Sequence, residues 1–115
     1  MALYHPSRED LELTAVLHAL SDPQRLRIVR GLAEEDAPVR CGTFCRGDVS
    51  KSTLTHHFRV LREAGVIEQR AEGTARLNSL RREDLDSRFP GLLDAVLDSA
   101  AVVAPAGGLN NISPA

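Results

Sequence analysis

The stretch from Ser50 to Gly65 constrains this chain more than any other part of it. Ser50 is of the type that caps a helix, because its hydroxyl accepts from an unpaired N–H of the first turn. Gly65 tolerates the left-handed backbone that ends one. Between them Leu54, Phe58, Leu61 and Ala64 recur at helical spacing and predict one buried stripe. The opposite face reads Ser52, Thr55, His56 and Arg59, at i, i+3, i+4 and i+7, with nothing apolar on it. A helix from Lys51 to about Ala64 is therefore expected to lean on its domain by one side and show short polar groups on the other.

The flanking elements follow from similar local signals. Val66 to Arg70 and Ala75 to Leu80 read as two strands, and Glu72-Gly73 between them predicts a short hairpin. Upstream, Asp22 is placed to cap a helix that has Pro23 at its first position, where the missing N–H does no harm. Leu26, Val29, Leu32 and Ala33 form its inner face, and Pro38 stops it. A first helix is expected from Arg8 to Leu20, capped by Ser7, with Leu13, Val16, Leu17 and Leu20 at helical spacing. A last helix carries Leu92, Leu93, Val96, Leu97 and Ala100 and is entered through Pro90. Residues 39–48 read poorly: a short helix near Thr43 to Arg46 is weakened by Gly42 and Gly47. The fold class expected is mainly α with a small β-hairpin. One domain covers residues 1–100, and residues 101–115 have the composition of a disordered tail.

Charge decides what the polar face is for. The whole chain nets −2, which by itself argues against a nucleic-acid partner. Its distribution argues the other way: residues 1–39 net −3, residues 40–82 net +5 and residues 83–115 net −4. A basic middle between acidic ends predicts a local anion-binding surface. Aromatic residues are 3% of the chain, so the core must be aliphatic and small, and such a domain gains stability by pairing with a second copy. No apolar run approaches the ~20 residues needed to cross a bilayer. Residues 1–10 lack an apolar signal core, so the expected location is the cytoplasm, with no membrane partner.

A helix, a loop, a capped helix with a hydroxyl-rich face and a basic hairpin together predict contact with duplex DNA. The major groove admits one α-helix. Ser52, Thr55 and His56 are short enough to hydrogen-bond base edges. Lys51, Arg59 and Arg62 are long enough to reach flanking phosphates, and Arg70 and Arg76 flank the hairpin tip, where they can meet the minor groove or the backbone. A solvated amphipathic face is the ordinary alternative for any such helix. The coincidence of hydroxyl face, positive segment and basic hairpin weighs against it.

Two stretches also resemble a family. Ser21-Asp22-Pro23-Gln24-Arg25-Leu26-Arg27-Ile28 resembles the opening of the second helix in ArsR-type (ArsR/SmtB) repressors. The run from Val49 through Ser50-Lys51-Ser52-Thr53-Leu54-Thr55-His56-His57-Phe58-Arg59 to Ile67 is similar to their recognition helix and first wing strand. The resemblance covers roughly residues 10–100 and implies a winged helix-turn-helix homodimer acting as a repressor on a near-palindromic operator. It implies recognition positions at Ser52, Thr53, Thr55, His56 and Arg59. It implies a dimer interface from the first and last helices, hence from Leu13, Val16, Leu17, Leu92, Leu93, Val96 and Leu97.

The departures bear on what the chain senses. Metal-sensing members carry Cys-x-Cys before the recognition helix, whereas this chain has Cys41 and Cys45 at a different spacing. On a helix these two would share a face and could hold a soft metal or oxidise, with Arg40 and Arg46 favouring the thiolate. The other reading is two inert small side chains in a loop. Other members place Asp and His ligands on the last helix, and here that helix has no histidine. No cofactor is expected, and a metal effector has no support in the residues. A further regulatory protein or a small effector stays open. Adjacent His56 and His57 point about 100° apart on a helix and cannot chelate one ion together. No catalytic motif is present, so no enzyme is expected. Two rivals remain: a thiol- or metal-switched repressor using Cys41 and Cys45, and a winged-helix module that binds protein.

Overall fold

Two side chains and one glycine set the ends of the helices that matter. Asp22 Oδ1 accepts from Gln24 N at 2.8 Å and Arg25 N at 3.2 Å, which starts helix α2, Pro23–Ala33. Ser50 Oγ accepts from Thr53 N at 3.1 Å and starts α3, Lys51–Ala64. Gly65, at φ 87°, closes α3: its N–H donates to Arg62 O, and Val66 N–H donates to Leu61 O at 2.9 Å. That reciprocal pair satisfies two carbonyls of the last turn and needs left-handed backbone at Gly65. Space demands glycine there too, because a Cβ would overlap the buried Leu11 side chain.

The computed structural model describes residues 3–44 and 50–103, excepting the side chains of residues 101–103. Its elements run α1 (Leu13–Ala19), α2, β1 (Val39–Arg40), α3, β2 (Ile67–Glu72), β3 (Ala75–Leu80), α4 (Arg82–Arg88) and α5 (Leu92–Val103). Single 3-10 turns cover Arg8–Asp10 and Cys41–Phe44. The strands form one antiparallel sheet in the order β1-β3-β2. A two-residue tip at Gly73-Thr74 joins β2 and β3, with positive φ at Gly73 alone, so the turn lies one residue later than Glu72-Gly73.

The core is mostly aliphatic, as expected, and gathers between α1, α2, α3 and the sheet. Leu54, Phe58, Leu61 and Ala64 all point into it, and Val29, Leu32, Val66, Ile67 and Leu85 complete it. Its two large aromatic members, Phe44 and Phe58, meet edge to face with centroids 5.5 Å apart.

Three elements depart from the reading of the sequence. The first helix does not run from Arg8 to Leu20. Its chain turns extended at Leu11 and Glu12, and α1 starts only at Leu13. Leu11 is withdrawn from the helix because its side chain fills the space under Gly65, while its carbonyl accepts from Arg88 Nη2 at 2.9 Å. Ser7 accordingly makes no helix cap and instead donates to Asp10 Oδ2. Strand β1 occupies part of the poorly readable segment, held through Asn78 Nδ2 donating to Val39 O at 2.9 Å. Helix α4 precedes Pro90, in a stretch where no element was expected. The short helix near Thr43 to Arg46 lies partly outside the described residues, and the described part is the 3-10 turn. The last helix reaches Val103, past the boundary at residue 100, and residues 104–115 are outside the described residues.

The segment before α1 acts as a strap over α3 and the sheet. Arg62 Nε donates to Tyr4 O, Arg81 Nη1 to Pro6 O, and Arg8 pairs with Asp84 at 2.7 Å. His5 donates from Nδ1 to Leu3 O and accepts at Nε2 from Gln69 N–H at 3.0 Å. An N–H on the outer edge of β2 is thereby satisfied.

Candidate DNA interface

Helix α3 turns Ser52, Thr55, His56 and Arg59 outward, all exposed, while His57 one residue on is buried. Lys51 and Thr53 are exposed as well, at the first turn. Thr53 Oγ1 accepts from Ser50 Oγ at 2.8 Å, so it belongs to the cap as much as to the outer face. Arg59 Nη2 stands 3.5 Å from His56 Nδ1 on the exposed side of the helix.

The helix is held at its back by a clamp. Buried Arg25 donates from Nε to Ala19 O at 2.7 Å, from Nη2 to His18 O, and from Nη1 to His57 Nδ1 at 3.2 Å. One guanidinium thus ties α1, α2 and α3 together, and His57 must be neutral to accept. Burial lowers the pKa of His57 below its ordinary value; Asp22 opposes this, and Arg25 and His56 reinforce it. Burial also works to raise the pKa of Asp22, but the N–H groups of Arg25 and Gln24 outweigh it and the net shift is downward.

A depressed folded pKa means the unfolded chain takes up the proton more readily, so this contribution to stability is intact above about 6.5 and lost as pH falls below it. The urea midpoint is expected to be lower at about pH 5.5 than at about pH 7.5, and His57→Gln is expected to shrink that difference. An unchanged difference in the variant would remove His57 as its source.

The structure disperses some of the predicted contacts. Arg62 does not face outward. It lies one turn after Phe58 on the inner flank, 7% exposed, donating from Nη1 to Gln69 Oε1 at 2.7 Å and pairing with Glu63 at 3.7 Å. It cannot reach a flanking phosphate. Arg70 and Arg76 are both exposed but do not share a face of the hairpin. Arg76 pairs with Ala71 and so lies on the face of Gln69 and Asn78, toward α3, whereas Arg70 pairs with Leu77 on the other face beside Glu68 and Glu72. Arg76, Lys51 and Thr55 border one cleft of about 510 Å³ between α3 and the hairpin. Arg40 of β1 borders it too, a cation that the sequence reading set beside Cys41 and not among the DNA contacts, because its segment lacks any periodic pattern.

The predicted dimer residues divide in the same way. Leu13 and Leu17, i and i+4 on α1, are 45% and 44% exposed, large apolar groups in contact with water. Leu92, Val96 and Leu97 are half-buried. Val16 and Leu93 are corrected: both are buried in the chain's own core and offer nothing to a partner.

Cys41 is half-buried, and its Sγ faces Asn78 Nδ2 at 3.1 Å and Gln69 Nε2 at 3.6 Å, both amide donors and not metal ligands. Cys45 is outside the described residues. Among the described residues no three His, Cys, Asp or Glu side chains converge on one point. No helix among them is long and apolar enough to cross a membrane.

The comparisons with known proteins bear on this arrangement. A family model described as a helix-turn-helix domain matches residues 20–70, the span of α2, α3 and the first wing strand. The HTH-type transcriptional regulator YceK of Bacillus subtilis is 33% identical over 82 residues, covering 70% of this chain and 82% of that protein. The arsenical resistance operon repressor of Staphylococcus xylosus is 33% identical over 81 residues, covering 65% of this chain and 71% of the repressor. The chain belongs to the ArsR family. In fold, this ArsR-family chain matches the crystal structure of the ArsR-family regulator RHA00566 with a TM-score of 0.60 at 19% identity, over 82% of this chain and 97% of that one. The ArsR-family chain is thus a DNA-binding transcriptional regulator with the winged-helix fold.

Proposed function

We propose that this ArsR-family regulator is a homodimeric repressor that reads a near-palindromic operator and acts in the cytoplasm. Helix α3 enters the major groove with Ser52, Thr55 and His56 toward the bases, and Lys51, Arg59 and Arg76 meet the backbone. The observation carrying this reading is the outer face of α3, whose side chains are all exposed, short or cationic, while its buried stripe holds it to the core. A module that docked protein would need apolar anchors on that face. The repressor role extends to this chain what the Staphylococcus xylosus relative is named for. Exposed Leu13 and Leu17 support pairing across α1.

Variants separate positioning from reading. Arg59→Ala is expected to weaken binding to every duplex alike and to reduce the salt slope by about one. Thr55→Ala is expected to erase about 1–3 kcal/mol of discrimination at one base pair and leave the salt slope as it was. Fluorescence anisotropy across a salt series checks both. Operator binding untouched by either change would put α3 outside the groove.

A further inference from the structure

The cleft between α3 and the hairpin has more in it than a DNA backbone would use. Its volume of about 510 Å³ is within the range of small-molecule sites. Exposed Arg40, Lys51 and Arg76 stand at its rim, and among the described residues none of the three has a carboxylate partner. Leu54 and Phe58, both nearly fully buried in the core, supply its apolar base, with the Cys41 thiol and the Gln69 amide beside them. A DNA phosphate would engage the rim and leave that base unfilled. A rim of cations that no described carboxylate pairs with, above an apolar floor, is complementary to an organic anion with a flat apolar body.

We propose that this cleft binds a small organic anion, one carboxylate or sulfonate on an aromatic body about the size of naphthalene, and that its occupancy releases DNA. The anion takes the cations that otherwise face phosphate, and its body lies against Leu54 and Phe58 alongside Thr55 of the reading face. Ligand and operator then compete, and each weakens the other by the same factor. The release step rests on the DNA reading above; the pocket itself does not.

The probe is 2-naphthoate with the DNA-free full chain. The chain has no tryptophan, so anisotropy of the probe's own emission reports binding directly. Saturable binding is expected, and Arg40→Gln is expected to raise the dissociation constant about tenfold, the effect of one lost charge-assisted contact. In a Cys45→Ser chain, whose one remaining thiol is Cys41, the probe is expected to slow alkylation of Cys41 by iodoacetamide at least about fivefold, because the thiol borders the cleft. Inorganic phosphate and the neutral 2-naphthalenemethanol are expected to protect far less. Equal protection by phosphate would overturn the apolar body, and equal protection by the alcohol would overturn the anion. Absence of binding, or binding indifferent to Arg40→Gln that leaves Cys41 unprotected, would overturn the site. A probe that binds here yet leaves duplex affinity unchanged would overturn the competition alone. A protein that takes up the probe but no duplex would defeat the DNA reading and not the pocket.

Discussion

Replacing Leu13 and Leu17 together by glutamate is expected to leave a folded monomer that has lost about 100-fold or more in operator affinity. Both side chains are nearly half exposed, so the substitution places charge in water without opening the core. Two such helices facing each other would instead bring four carboxylates into an apolar contact, where each would be desolvated and repelled. Affinity follows from the pairing. Two reading helices joined in one dimer bind with the second encounter already at high effective concentration, and a monomer forfeits that gain. Sedimentation equilibrium gives the oligomeric state, and anisotropy on a two-half-site duplex gives the affinity. A variant that stays dimeric would move the interface away from α1. A monomer with full affinity would deny the two-fold mode of binding.

Phe58→Ala is expected to cost about 3–5 kcal/mol of stability, a large part of the ~5–15 kcal/mol that holds a domain of this kind. Phe58 is 2% exposed, packs edge to face on Phe44, and ties the inner side of α3 to the turn after β1. Truncation leaves a void bordered by Leu54 and the cleft, which the short 3-10 turn is poorly able to refill. Phe58→Leu keeps most of the volume and is expected to cost well under half as much. Urea unfolding at fixed protein concentration measures both, since pairing makes the midpoint concentration-dependent. A loss below about 1 kcal/mol for the alanine variant would mean that Phe58 does not carry the core contact assigned to it.

Local chemistry controls the features that were legible in the sequence. Asp22, Ser50 and Gly65 act on backbone groups within a few residues, so their types alone marked where α2 and α3 begin and α3 ends. The outer face of α3 was readable because the whole stripe opposite it is apolar and regular. The hidden features depend on partners far along the chain. Two-residue β1 has no pattern of its own and exists through Asn78 in β3. Helix α4 is a charged run with Leu85 as its buried member, and Asp84 in it answers Arg8 from the opposite end of the chain. Arg62 resembled a phosphate contact because its charge was visible while its acceptor, Gln69 Oε1 on β2, was not. Position carried a usable signal even so: Arg62 comes four residues after Phe58 and borders Leu61, which places it on the buried side. Val16 and Leu93 misled for the converse reason, since an apolar stripe does not say which of its members faces a second copy and which faces home.

Selection of bound duplexes from a random DNA pool, repeated at low and moderate salt, addresses the main claim most directly. The predicted result is enrichment of two inverted half-sites centred about 10 base pairs apart, weakening as salt rises. Failure to enrich any sequence at low salt, or enrichment of motifs without a two-fold repeat, would contradict a dimer that reads DNA through α3.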